Sequence, residues 1–117
     1  MSSIIYKIVS RDIWENAQKV GAFEGAEIDL ADGYIHFSSA QQVRRTAARF
    51  FGGRDNLLLV GVNADTLGEA LRWEPISDGT LFPHLYGALL LSSVVSQDEL
   101  TLMESGEHQF PDFVPVD

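Results

Sequence analysis

The apolar positions of the first twenty residues change from a strand pattern to a helix pattern. Residues 4–9 are mostly β-branched or aromatic, which predicts a strand. Over 11–20 the apolar residues recur at spacings of three and four, which predicts a helix that Ser10 can cap. Residues 21–33 carry three glycines and four acids without a clear period, so this stretch is expected to be a loop.

A second strand and a second helix are predicted after the Asp-Gly turn that closes this loop. Residues 34–38 alternate, which places Tyr34, His36 and Ser38 on one face of a strand. Glutamine follows the serine pair at a distance of three residues, which is the spacing of a capping box. The apolar stripe that comes next predicts an amphipathic helix ending at a Gly-Gly pair.

The second half of the chain is richer in strands. Residues 56–62 form a nearly continuous apolar run, which is typical of a strand covered on both faces. Segments 71–74, 81–86 and 100–102 are also expected to be extended, whereas the apolar stretch 88–95 fits either a helix or a strand. The order strand, helix, strand, helix and then mostly strands predicts an α+β domain with two main helices.

Length and composition predict one globular domain over residues 1–117. A chain of 117 residues with 45% apolar side chains can bury one core and leaves no room for two. The absence of cysteine excludes a disulfide framework, cysteine-ligated zinc and a thiol nucleophile. No signal sequence and no run of ~20 apolar residues is seen, so a cytoplasmic protein outside the membrane is expected. Residues 104–117, with one glycine and two prolines, are expected to form a loosely held tail.

The net charge of -9 is unevenly distributed. Residues 73–117 hold eight acids and no base, whereas residues 1–72 hold all eight Lys and Arg. The acidic total disfavours duplex nucleic acid as a partner, because binding to phosphate backbones depends on Lys and Arg. Arg44 and Arg45 lie at the start of a predicted helix, where a small phosphate-bearing anion is favoured. The alternative for both is a solvated outer helix face.

Two polar residues on the predicted strand 34–38 are candidates for a site. His36 can act as a base or donate a hydrogen bond to a ligand lying over the following helix. Its alternative role is that of a half-buried histidine bonded to backbone. Ser38 is expected to cap the helix rather than act as a nucleophile, and a cap hydroxyl can also face a ligand.

The segment from Trp73 to Gly87 holds the densest cluster of special side chains in the chain. His84 and Tyr86 project from one face of an extended run, and a turn at 77–79 can bring Glu74 near them. A carboxylate, an imidazole and a phenol on one surface can orient a substrate and move a proton. Burial beside Trp73 would raise the pKa of Glu74, which is one way to make a general acid. The alternative is a hairpin whose aromatic residues close the core while Glu74 is solvated.

Several of these stretches resemble the bacterial family known as "domain of unknown function 952". The resemblance covers about residues 4–95, and its most specific stretches are 33–38 and 82–87. It implies an ADP-ribosyltransferase-like fold, a split and strongly bent mixed β structure with helices packed outside. In that fold a cleft between the sheet halves holds NAD, the one cofactor that the resemblance implies.

The resemblance also implies where functional residues stand. Enzymes of that fold carry a histidine or arginine on the first strand, and here Lys7 occupies that position. His36 stands near the position of an aromatic residue on the next strand, and Glu74 and Glu99 are the candidates for a late glutamate.

These observations predict a cleft lined by six residues that binds a small anionic ligand, NAD or another nucleotide; they are Lys7, His36, Ser38, Glu74, His84 and Tyr86. As an enzyme, the protein would cleave or transfer at an N-glycosidic bond, with Glu74 stabilising the oxocarbenium charge. His36 and Tyr86 would hold the ligand. The alternatives are a binding module without catalysis and a metal-dependent hydrolase that uses His36 and His84.

Overall fold

The computed structural model describes residues 3–116, which contain ten strands and three α-helices. The helices are α1 (Arg11–Val20), α2 (Glu27–Asp32) and α3 (Val43–Phe50). The strands are β1 (Ile4–Ser10), β2 (Ala22–Phe23), β3 (Ile35–His36), β4 (Ser38–Ser39), β5 (Leu57–Asn63), β6 (Leu71–Pro75), β7 (Leu81–Leu85), β8 (Leu89–Leu90), β9 (Val94–Leu102) and β10 (His108–Gln109).

The strands belong to three sheets. A five-stranded sheet has the order β10-β9-β5-β1-β4, a three-stranded sheet has the order β3-β7-β6, and β2 pairs with β8. Every strand pair within residues 3–116 is antiparallel, so the expectation of mixed pairing is wrong for this part of the chain. Adjacent parallel strands need a long crossover, whereas β6 and β7 are joined by a tight turn.

Two apolar clusters cover the two faces of the five-stranded sheet. Alternate residues of β1 enter different clusters, because successive side chains of a strand point to opposite faces. Ile5 and Val9 lie in the cluster that contains α1 and the three-stranded sheet, whereas Tyr6 and Ile8 lie in the cluster that contains α3. The two main helices therefore pack outside the sheet, as expected, in a single α+β domain.

The first helix forms as predicted and the third begins later than predicted. Ser10 Oγ accepts a hydrogen bond from the Ile13 N–H (3.4 Å), which caps α1. Before α3 only half of a capping box is formed, since Gln42 Oε1 accepts from the Ser39 N–H (3.0 Å). The expectation that Ser38 caps the helix is wrong, because its hydroxyl bonds Thr46 Oγ1 (2.9 Å) inside the protein.

The segment 34–38 crosses from one sheet to another instead of forming one strand. Residues 35 and 36 pair with β7, whereas residues 38 and 39 pair with β1. Between them the Phe37 N–H bonds the Pro83 carbonyl (3.0 Å). The crossing moves Ser38 away from the face that Tyr34 and His36 share.

Residues 21–33 are ordered rather than the expected loop. They contain β2 and α2. Asp29 Oδ2 accepts from the Ala26 N–H (2.8 Å) at the start of α2, and Gly33 ends the helix with a φ of 87°. A helix of six residues is too short to show a clear apolar period in the sequence.

The C-terminal segment is held more firmly than the tail expected for residues 104–117. Phe110 and Val114 are buried in the α3 cluster. Arg44 donates from its guanidinium to the carbonyls of Val114 and Pro115, both at 2.8 Å, and its Cζ lies 4.9 Å from the Phe110 ring centre. Within residues 3–116 no helix has the length and apolar character needed to cross a bilayer.

Candidate functional site

Four aromatic side chains meet on one face of the three-stranded sheet. His36 of β3 and His84 of β7 are direct cross-strand partners. Tyr34 and Tyr86 lie two residues before and two residues after these partners, so the pleat directs all four toward the same face. The rings of Tyr34 and His84 are stacked with centres 4.1 Å apart. Tyr34 also lies 4.7 Å from His36 and 5.2 Å from Tyr86 between ring centres.

Glu74 of β6 is held at this cluster by two donors. Its Oε1 accepts from His84 Nδ1 (2.9 Å) and from the Tyr86 hydroxyl (2.7 Å). The bonds from Tyr86 and His84 hold the pKa of the Glu74 carboxyl below its usual value. The expectation of a raised pKa for Glu74 is therefore wrong, because the carboxylate is hydrogen-bonded and partly exposed instead of desolvated. The hydrogen bond that the Tyr86 hydroxyl donates to Glu74 raises the pKa of Tyr86.

Asp29 connects the cluster to the interior of the protein. Its carboxylate is 1% exposed and accepts from Lys7 Nζ (2.9 Å) and from His36 through both the backbone N–H (3.1 Å) and Nδ1 (2.6 Å). Although burial alone would raise the pKa of Asp29, the bond from His36 and the charge of Lys7 lower it to about 2. Burial lowers the pKa of Lys7, and the charge of Asp29 opposes that effect.

The second ring nitrogen of His36 also meets a carboxylate. Its Nε2 lies 2.9 Å from Asp32 Oδ2, at the end of α2. Both ring nitrogens of His36 therefore have a carboxylate oxygen within hydrogen-bond distance. The Asp29 side chain is 1% exposed, whereas the His36 and Asp32 side chains are 32% and 43% exposed.

A cavity of about 220 Å³ lies beside Tyr34. Its wall includes Asp29, Leu30 and Gly87, with Glu24 as its other charged group. The volume suits a small ring or a short side chain rather than a whole dinucleotide, so a larger ligand would lie partly over the open face of the cluster.

The structure brings together four of the predicted site residues, namely His36, Glu74, His84 and Tyr86. Lys7 contacts the cluster through Asp29, and its side chain is buried. Glu99 lies elsewhere, where it accepts a bond from Arg11 (2.6 Å).

Three other predicted residues lie apart from the cluster. Ser38 is bonded to Thr46. Arg44 holds the C-terminal segment, and Arg45 is exposed on α3, which packs on the opposite face of the five-stranded sheet. Ser38, predicted to line the cleft, is not brought to the cluster because the chain changes sheets at Phe37. Arg44 and Arg45, predicted to bind a phosphate at the helix start, lie on α3 and not at the cluster.

Sequence reasoning did not select Tyr34, Asp29 or Asp32 as site residues. The alternation over 34–38 already places Tyr34 beside His36 and could have identified it. Nothing local marks Asp29, since its role depends on Lys7, which is 22 positions away. Asp32 lies four residues before His36, a spacing that has meaning only once the short helix and the turn are known.

The arrangement of side chains in the described residues does not support metal binding. Among residues 3–116, no three His, Cys, Asp or Glu side chains are arranged so that they could hold a metal ion. His36 and His84 have their Nδ1 atoms directed at Asp29 and Glu74 respectively.

The fold is an α+β arrangement of antiparallel sheets, and the His–Tyr–carboxylate cluster lies on one face of the three-stranded sheet. The chain belongs to the family described as "Protein of unknown function (DUF952)", which matches residues 8–97.

Solved structures of one relative are closely similar. Two crystal structures of protein CC0527 from Caulobacter crescentus, one of them a double mutant, have TM-scores of 0.91 and 46% identity. Each match covers 96% of this chain and 98% of that chain. A solution NMR structure of CC0527 has a TM-score of 0.82 and 48% identity over 91% of both chains. A comparison with curated proteins finds no match.

Proposed function

We propose that the His–Tyr–carboxylate cluster binds NAD or a related nucleotide and that the protein is a member of the ADP-ribosyltransferase-like fold group. Support for the fold comes from the division into separate antiparallel sheets with helices outside. Support for the ligand comes from the exposed ring of Tyr86 and the partly exposed ring of Tyr34, on which a flat base or nicotinamide ring can stack. The Arg72 guanidinium, 5.0 Å from the Tyr86 ring centre, supplies a positive charge for a phosphate.

The observation that carries the proposal is the placement of Glu74. Its Oε1 is held by His84 and Tyr86, and the structure shows no donor from residues 3–116 on Oε2. The lowered pKa of Glu74 keeps the carboxylate ionised at neutral pH. An oriented negative charge beside a ring-binding face is what an oxocarbenium-like transition state requires.

The chemistry that follows is cleavage of the bond between the anomeric carbon and the nicotinamide nitrogen. The bonding electron pair passes to the nicotinamide ring, and the negative charge of Glu74 stabilises the positive charge that develops on the ribosyl group. Water or another hydroxyl then forms the new C–O bond and releases its proton to solvent. The products with water are ADP-ribose, nicotinamide and a proton.

A binding module without catalysis is the second candidate. The observation that favours it is the saturation of His36, whose two ring nitrogens are both engaged by carboxylates. A histidine held in this way is fixed in orientation and can position a ligand.

Calorimetric titration with NAD and ADP-ribose, followed by chromatographic detection of nicotinamide, tests both candidates. We expect binding to the wild type, and for an enzyme we expect Glu74→Gln to lower nicotinamide release by about a hundredfold. The matched control is Glu99→Gln, which removes an exposed carboxylate that bonds Arg11 and should change neither measurement. If the protein binds neither NAD nor ADP-ribose, the nucleotide proposal is refuted. Binding without nicotinamide release would favour the binding module.

A further inference from the structure

The outer nitrogen of His36 is bonded to a carboxylate that belongs to the protein itself. His36 Nε2 and Asp32 Oδ2 are 2.9 Å apart, which is typical of a charge-assisted N–H to oxygen bond. A phosphate or carboxylate oxygen of a ligand would make the same bond with the same geometry. We propose that His36 Nε2 is the subsite for a ligand oxyanion, and that Asp32 occupies it in the free protein.

The orientation of the His36 ring does not depend on Asp32. The buried Asp29 bonds both Nδ1 and the backbone N–H of His36, and β3 pairs this residue with His84. Removal of Asp32 would therefore leave Nε2 directed at the same point. The ring nitrogen remains in place while its partner can be exchanged.

Asp32 is also the partner that is easier to displace. Its side chain is 43% exposed, whereas that of Asp29 is 1% exposed. An exposed pair of this kind contributes at most about a factor of five to an equilibrium constant. Asp32 is the last residue of α2, where a negative charge does not favour the helix.

The location suits the anionic part of a nucleotide. Tyr34 contacts both histidine rings and lies next to Tyr86. A nucleotide whose base or nicotinamide ring stacks on these tyrosines would have its phosphates or ribose within reach of His36 Nε2. This inference rests on the proposed nucleotide binding and adds to it the contact for the oxyanion and the group that competes for it.

The test titrates the wild type and Asp32→Asn with inorganic phosphate and with ADP-ribose. Binding is monitored through the imidazole carbon chemical shifts in NMR spectra. We expect the variant to bind each compound about fivefold more tightly, because one negative charge is removed and the neutral amide oxygen is a weaker acceptor for Nε2 than the carboxylate. Asp112→Asn makes the same change of net charge on the exposed C-terminal segment and should leave both affinities unchanged.

A second variant assigns the gain to His36. His36→Asn keeps an amide near the position of Nδ1 and lacks the outer donor, so the gain should disappear in the double variant with Asp32→Asn. Weaker or equal binding by Asp32→Asn, with the wild type still binding ADP-ribose, would overturn this inference and leave the proposed function standing. Absence of ADP-ribose and NAD binding in both proteins would overturn the proposed function and this inference together.

Discussion

Replacement of Asp29 by asparagine is expected to lower the free energy of unfolding by about 3 to 5 kcal/mol. The side chain is 1% exposed and accepts bonds from Lys7 Nζ, from His36 twice and from the Ala26 N–H. An amide has one oxygen, so its NH₂ group must face one of these donors. The ammonium of Lys7 would then be buried without a countercharge, which is the costly outcome of breaking a buried ion pair.

Lys7→Met is expected to cost less, about 2 kcal/mol or below. In this variant the Asp29 carboxylate keeps three N–H donors, including the ring of His36. In Asp29→Asn the ammonium loses the one carboxylate that forms an ion pair with it within residues 3–116. The double variant should be no less stable than Asp29→Asn alone, since it removes the uncompensated charge.

Urea denaturation followed by tryptophan fluorescence and circular dichroism measures these differences. The slope with denaturant should remain unchanged, so that the midpoints report stability. Asp112→Asn is the control and should stay within about 0.5 kcal/mol of the wild type. An Asp29→Asn loss below about 1 kcal/mol, or a greater loss for Lys7→Met, would refute the assignment of Asp29 as the acceptor that neutralises the buried ammonium.

Three further predictions concern acid sensitivity, the C-terminal segment and close packing. The pKa of Asp29 falls from 3.8 to about 2 on folding, so the stabilisation by its carboxylate is complete above pH 4 and is lost as the pH falls through 2. In acid titrations, the difference in free energy of unfolding between wild type and Asp29→Asn should therefore decrease by roughly 2 kcal/mol over that window. Arg44→Ala should lower stability by about 1 kcal/mol and speed amide hydrogen exchange in residues 108–115, whereas unchanged exchange would show that the arginine does not hold the segment. Gly61→Ala should cost about 1 to 3 kcal/mol by thermal unfolding, because its Cβ would clash with Ser96 Oγ, and Ser96→Gly should restore part of the loss unless the clash is relieved in another way.

Elements with a long, consistent pattern could be predicted from the sequence. The strand 4–9 and the helix 11–20 agree with the structure, and the apolar run 56–62 is a central strand covered on both faces. The turn at 77–79 does bring Glu74 to His84 and Tyr86. In these segments local preference and tertiary packing favour the same conformation.

The remaining features depend on contacts between distant segments. Strands of two residues, such as β3 and β4, have no period of their own, and the change of sheet at Phe37 is set by pairing with β7 and β1. The Lys7–Asp29 pair joins a central strand to a segment that looks like a loop. The prediction that Ser38 shares a face with Tyr34 and His36 is wrong for the same reason, since alternation fixes a face only while the strand stays in one sheet.

The cross-strand pairing of His36 with His84 has a consequence for how the site comes into being. Several contacts of the cluster join segments that are far apart in the chain, including β3 to β7 and Lys7 to α2, whereas others, such as His36 to Asp32 and Glu74 to His84, are local. The complete cluster therefore requires the complete fold, and binding capacity should appear and disappear with it. A ligand bound there would select the native state and raise the unfolding temperature by mass action, so thermal shift can serve as a screen for it.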